Sequence, residues 1–532
     1  MVGVEGLSDA ERQVWDAFPA GTLVDLTAGN EADDDPARGE EWGPGRQVSA
    51  GVLLKLLCGA VEVPPGQVGE VWLRGACITG KIDRPGVEFR HFLRLERCCI
   101  REGIDLRDAT TPTLGLEGCN VGPISLLRTK INGALALRGA HLDGRGGRAM
   151  EADGLIVTGG MFCDRGFRAN GEVSLYGASI GGELNFQGAQ LDGRGGHALA
   201  ADGLSVAGGV FCNQVPGKPE PGQENRFRAC GGIKLAGASV KQLRFTGAQL
   251  EGAELDGKKG PTLQADQITV ALGMYCDHGF CAKGEISLAG ASVHQLSFSG
   301  AELDGKKGPA LHAQDLTVTY EMFFDRGFSA DGEVFLAGAN IGRLVDDEES
   351  WPERIELTGL TYGDLGTYMK ARDRLSWLNR SSWYSPQPYE QLAAYYRRLG
   401  HDEEARLVLL AKQRRRRRQH EWRWRWWGWL QDALAGYGYA PGRAMLLLLG
   451  AFAAGWLVFH SDPPAPANPA THPVFNAALY TLDVLIPAPA LGQASDWDPH
   501  GTGLAVAVGL HVLGWLLAIT VIAAITRSFS RN

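Results

Sequence analysis

A β-helix of square cross-section, mainly β and capped by helices, is the fold class this sequence predicts, followed by a helical hairpin and an apolar tail. Three observations carry it: a unit recurring every 48 or 49 residues, a five-residue period of large apolar side chains inside that unit, and 73 Gly among 532 residues. Self-similarity at such a period marks a repeat architecture, in which each unit buries its apolar face only against its neighbours. The recurring unit begins at Met161-Phe162-Cys163-Asp164-Arg165-Gly166-Phe167 and returns at Met274-Tyr275-Cys276-Asp277-His278-Gly279-Phe280 and at Met322-Phe323-Phe324-Asp325-Arg326-Gly327-Phe328. A fourth copy starts at Val210-Phe211-Cys212-Asn213. Cys163 to Cys212 spans 49 residues, Cys276 to Phe324 spans 48, and Cys212 to Cys276 spans 64. The excess is assigned to a Pro-rich excursion near Pro216 to Asn225 plus one extra five-residue step.

Within the unit, Leu235, Val240, Phe245, Leu250 and Leu255 are five apart, as are Leu288, Val293, Phe298 and Leu303. Neither a helix nor a simple strand has that period. A small residue stands two before several of these positions, Ala238 before Val240 and Ala301 before Leu303, so each five-residue side of a square coil turns one large and one small group inward. Earlier copies stretch one step to six, as in Leu126, Ile131, Leu137 and Leu175, Ile180, Phe186. The pattern resembles the pentapeptide-repeat family, whose coils are quadrilateral β-helices, although the Asp or Asn usual before the central Leu is mostly replaced. That resemblance implies the fold from Val68 to Leu360 and says little of function. At roughly 24 residues per coil and about 4.8 Å per step, the stack is on the order of 55 Å long.

Four regions follow: a helical cap over 1–67, the solenoid over 68–361, a hairpin and basic linker over 362–430, and a membrane domain over 431–532. In the cap, Ser8 and Glu11 form a capping box that opens a helix bearing Val14, Trp15 and Phe18. Ser49 opens a second helix through Val52, Leu53, Leu56 and Leu57, and residues 368–379 read as a helix over the last coil. In the linker, PQPYEQLAAYYRRLG and HDEEARLVLLA read as a helical hairpin with Gly400 as stop and Asp402 as the next cap. Leu392, Tyr395, Tyr396 and Leu399 face Ala405, Val408 and Leu409 across it.

From Ala444 to Thr526 there is no Lys or Arg, whereas Arg414 to Arg418 and Arg527 lie outside that stretch. It contains two apolar segments, Ala444 to Phe459 and Gly503 to Ile525, to be compared with the ~20 residues that cross a hydrocarbon core. Basic residues remain cytoplasmic, so the expected topology is two spans with both termini cytoplasmic and Ser461 to Thr502 outside, in the cell membrane. The start, MVGVEGLSDAERQ, lacks the basic and apolar regions of a cleaved signal peptide. The ten Cys accordingly read as reduced thiols.

Arg414, Arg415, Arg416, Arg417 and Arg418 precede Trp422, Trp424, Trp426, Trp427 and Trp429. Such interleaving suits single-stranded nucleic acid, but its place before a span, and the net charge of −9, favour anchoring on anionic lipid, about 1 kcal/mol per Arg. Between the spans, an apolar stretch over 474–486 within a segment 474–492 has the length of a re-entrant helix. It holds Asp483 and ends at Pro487; if several subunits surround a channel, Asp483, or Asp496 and Asp498, are the cation-attracting pore residues, and otherwise the segment is an amphipathic hairpin resting on the outer leaflet. The potassium filter TVGYG is absent.

No catalytic, cofactor-binding or metal-binding set emerges. Cys163, Cys212 and Cys276 share a position with Phe324, as a core position would. Asp143, Asp192, Asp256 and Asp304 each precede Gly, which reads as turn chemistry, with Gly supplying positive φ. The calcium nonapeptide, GxGxxG, Walker A, GxSxG and CxxC are all missing. In overall order the chain resembles bacterial membrane-attached pentapeptide-repeat-like proteins with a two-span, ion-channel-like segment, a group that often carries the name membrane-associated oxidoreductase. The expectation is a non-enzymatic membrane scaffold with an unidentified protein partner on the rod and a homo-oligomeric, channel-like membrane domain; the alternative is a membrane-associated oxidoreductase, which predicts a bound chromophore.

Overall fold

The computed structural model describes residues 6–30, 32–215, 217, 225–255, 258–419, 441–468, 474–486 and 492–529. The chain forms two units, Met1–Met369 with Ser376–Trp383, and Lys370–Leu375 with Tyr384–Asn532.

The first unit is a β-solenoid whose strands join in two 18-stranded sheets. One register column shows the stacking. Val71 pairs with Leu93, Leu93 with Leu114, Leu114 with Leu135, Leu135 with Met161, Met161 with Leu184 and Leu184 with Val210, all in parallel. The column continues through Leu243, Met274, Leu296, Met322 and Leu344 to Leu365, about 12 turns in all. The repeating unit of 48 or 49 residues is therefore two coils: Met161 to Leu184 to Val210, and Met274 to Leu296 to Met322. One coil runs through Asn120–Val121, Ile124–Ser125, Lys130–Ile131 and Leu135–Ala136, four short sides.

The five-residue period is the inward face of those sides. Leu235, Val240, Phe245 and Leu250 are buried, as are the small partners Ala238 and Ala301. The period stops there: Leu255 pairs with Lys258 in an antiparallel hairpin thrown out of the coil. The long interval from Cys212 to Cys276 thus contains two excursions, this hairpin and the loop closed where the Val215 N–H donates to Asn225 O at 2.6 Å, rather than one excursion and an added step. Inside, Phe167, Phe186, Phe227, Phe245 and Phe280 form a continuous stack with centroids 6.2 to 6.4 Å apart.

Helix α1 (Asp9–Ala17) opens on the expected capping box, and α2 (Ala50–Leu57) on Ser49. Glu11 also accepts the Ser49 N–H at 3.0 Å, so one carboxylate ties the two helix starts together. The cap is not helical alone. Val24–Asp25 and Gln47–Ser49 add strands to the two sheets, pairing with the first solenoid coil, which occupies edges that would otherwise stay open. At the far end the ladder reaches Leu365, a few residues beyond the expected boundary. Helix α3 (Ala371–Asn379) brings Trp377 to 6.4 Å from Trp351, and Arg380 donates to Pro352 O at 2.9 Å.

The second unit contains the predicted hairpin, α4 (Gln387–Arg398) and α5 (Asp402–Gln419), with Gly400 at φ +78° between them. Leu392, Tyr396, Ala405, Val408 and Leu409 are buried. Leu399 is exposed, because α4 has already ended before it, and Asp402 is the first helical residue rather than the cap. Next come α6 (Pro441–Ser461), α7 (Ala477–Leu485) and α8 (Gly501–Phe529). Among the described residues no helix is long and apolar enough to cross a membrane. The two transmembrane helices expected from the sequence therefore do not form part of the described fold. The side chains of α6 are described only from 446 to 461, fewer than the ~20 residues a span needs.

Candidate functional site

Three helices of the second unit meet around a small apolar core of Phe459, Tyr480, Leu485, Ala507 and Leu510. Phe459 and Tyr480 touch edge to face with centroids 4.8 Å apart. Glycines set how closely the helices approach: a Cβ on Gly455 would lie 2.6 Å from both Leu510 and Thr481, and one on Gly514 only 2.0 Å from Leu485 O. Asn476 starts α7 by accepting the N–H groups of Ala478 and Leu479 at 3.0 and 3.2 Å, so a short helix with its own cap sits between two longer ones.

Asp483 lies on that short helix and is 4 % exposed. Its Oδ2 accepts the Ala494 N–H at 2.8 Å, which links α7 to the returning segment. Asp496 and Asp498 are exposed, and Asp498 lies 3.8 Å from His500. Of the three candidate carboxylates, Asp483 is a buried acceptor and Asp496 and Asp498 face outward. Burial of the first follows from its position on the inner face of a helix whose neighbours Thr481, Val484 and Leu485 are also buried. Pro487 lies outside the described residues.

His511, which sequence reasoning passed over, ties α8 to the end of α7. Trp515 donates to its Nε2 at 3.2 Å, leaving Nδ1 to donate to Val484 O at 3.2 Å. The legible signal was a His and a Trp four apart on one helix. On the outward sides of α6 and α8, Leu446, Leu449 and Leu457 and then Leu504, Val508, Val512 and Trp515 are exposed, with Leu446 at 71 %. The last four recur at helical spacing, so they form one apolar face left exposed among the described residues.

The basic run begins inside the hairpin. Arg415 donates to the Tyr389 hydroxyl at 3.2 Å, and Lys412 pairs with Glu390. Burial pushes the Tyr389 hydroxyl above its ordinary pKa even with that guanidinium beside it. Arg415 is therefore partly committed to the protein, whereas Arg416 is exposed. The side chains of Arg417 and Arg418, and all of Trp422, Trp424, Trp426, Trp427 and Trp429, lie outside the described residues.

In the solenoid, Cys163, Cys212 and Cys276 are buried in the core beside the equivalent Phe324. Burial raises all three thiols, which makes them poor nucleophiles. The Asp–Gly column is turn chemistry with one amendment. Asp143 accepts the Arg145 N–H at 3.1 Å, and positive φ falls on Arg145 and Gly146. Gly144 is required for closeness instead, since a Cβ there would lie 2.6 Å from the Arg148 carbonyl carbon. Asp256 lies outside the described residues. Among the described residues no group of three or more His, Cys, Asp and Glu side chains is placed to hold a metal ion.

Comparison with family models, with curated proteins and with solved structures yields no match. The fold alone fits a pentapeptide-repeat-like solenoid.

Proposed function

We propose that this chain is a non-enzymatic scaffold held at a bilayer, in which the helices of the second unit enter the membrane with the segment between α6 and α7 outside and the end of α8 cytoplasmic, and the solenoid offers its surface to a protein partner. The observation that carries the reading is the apolar face of α6 and α8, exposed at Leu446, Leu449, Leu457, Val508 and Val512. Exposed apolar helix faces of this kind mark membrane or protein contact. The absence of Lys and Arg from Ala444 to Thr526, with a basic run before it, supports lipid as the neighbour. Association of several copies through the same face, with α7 segments grouped together, is the channel-like form of the proposal.

The full-length protein in bacterial membranes is predicted to resist extraction by alkaline carbonate. A variant carrying Leu446→Asp, Leu449→Asp and Leu457→Asp is predicted to move to the soluble fraction while keeping the β-rich circular dichroism of the solenoid. Complete extraction of the unmodified protein would contradict the proposal.

A further inference from the structure

Two cysteines on neighbouring coils of the first unit face each other. Cys77 and Cys99 are in-register partners on adjacent parallel strands, where opposed Cα atoms stand about 4.8 Å apart, within the roughly 4.4–6.8 Å that a disulfide bridges. Trp42 completes a buried cluster with the two of them. The cap turn Pro36–Glu41 lies against them so closely that a Cβ on Gly39 would be 2.3 Å from that of Cys99. A cavity of about 440 Å³ reaches Cys99 between Glu40, Arg101, Asn120, Asp143 and Arg145.

The same coils contain a second pair, in which the Cys98 N–H donates to Cys119 Sγ at 3.4 Å. Cys98 and Cys119 point into the core, 0 % and 1 % exposed, and donate their thiol protons to carbonyl oxygens of Leu73 and Glu96 and of Leu95 and Glu117. Between the facing thiols, the neighbouring Cys99 outweighs burial and holds Cys77 below its ordinary value, while Cys99 is pushed up. A lowered thiol ionises more readily, and the thiolate is the form that reacts.

We propose that Cys77 and Cys99 are a reversible dithiol–disulfide site beneath the amino-terminal cap, oxidised by a hydroperoxide and restored by a dithiol. The Cys77 thiolate attacks one peroxide oxygen; an S–O bond forms, the O–O bond breaks, and hydroxide leaves to take up a proton. The Cys99 sulfur then attacks the sulfenic sulfur, forming S–S and expelling the second oxygen as water with the Cys99 proton. Two thiols lose two electrons and one hydrogen peroxide becomes two waters.

The test treats the full-length protein with hydrogen peroxide, alkylates the remaining thiols and maps tryptic peptides. Peptides 75–81 and 98–101 are expected to be joined, lighter by two hydrogens than their sum, and released by dithiothreitol. The link is expected to survive Cys98→Ala and to be lost in Cys99→Ala. Persistence of the link in Cys99→Ala, a Cys98–Cys99 bond within one peptide, or full alkylation of Cys77 and Cys99 at a peroxide level that oxidises the exposed Cys58 would each overturn the proposal.

Discussion

Asp34 shows how one side chain sets the pH response of the cap. It is 3 % exposed; burial pushes its carboxyl up, but the N–H groups of Ala28 and Gly29 and the Arg46 guanidinium outweigh that and hold it below its ordinary value. A lowered folded-state pKa gives stability that is fully present above the unfolded value of about 3.9 and lost as pH falls through the folded one. Asp34→Asn is therefore predicted to lower the unfolding midpoint by a constant amount between about pH 5 and 8. The gap between variant and parent is predicted to close on acidification below the unfolded value; a gap that widened there would refute the assignment. Asp483 makes a second case. Its removal in Asp483→Ala takes that acceptor from the exposed Ala494 N–H, at a cost of about 0.5–1.5 kcal/mol, whereas Asp483→Asn keeps an acceptor oxygen and is predicted to melt close to the parent in detergent. Equal loss in both would mean that the charge, not the hydrogen bond, matters. The sequence placed Asp483 in an apolar stretch, yet its partner Ala494 is eleven residues further along the chain, and no local pattern encodes that meeting. Asp496 and Asp498 face outward on other elements, which spacing alone does not reveal.

At the scale of elements, periodicity was readable wherever an inward face repeats. Every coil presents its large residue to the same core, so Leu235, Val240, Phe245 and Leu250 reveal the square from the sequence alone. Leu255 keeps the spacing but leaves the coil, because its hairpin pairs with Lys258 instead of the next turn; period says nothing of where an excursion begins. The Phe stack was similarly hidden, as its members come from two different repeat positions, Phe167 and Phe280 from one and Phe186 and Phe245 from another. Phe245 sits 6.3 Å from Phe227 and 6.2 Å from Phe280. Phe245→Ala is predicted to destabilise the solenoid by ~3–5 kcal/mol, read as a lower denaturant midpoint. An unchanged midpoint would show that the stack contributes little. Capping boxes and turn glycines were legible for a different reason: Ser8 with Glu11 and Gly400 act within a few residues of themselves.

For the molecule as a whole, two kinds of surface have to be reconciled: a solenoid closed by its own caps, and helices whose outer faces are apolar and exposed. The distribution of charge in the sequence suggests how, with basic residues before Ala444 and after Thr526 and none between. Local spacing identified the helices of the tail, but what surrounds them is not written in any short pattern. The most direct measurement is therefore of sidedness. Asn468, exposed between α6 and α7, is replaced by Cys in the full-length protein, and intact cells are treated with a membrane-impermeant maleimide. The account predicts labelling of Asn468→Cys from outside, with Ser528→Cys labelled only after the cells are opened; labelling of both positions in intact cells, or of neither until lysis, would contradict it.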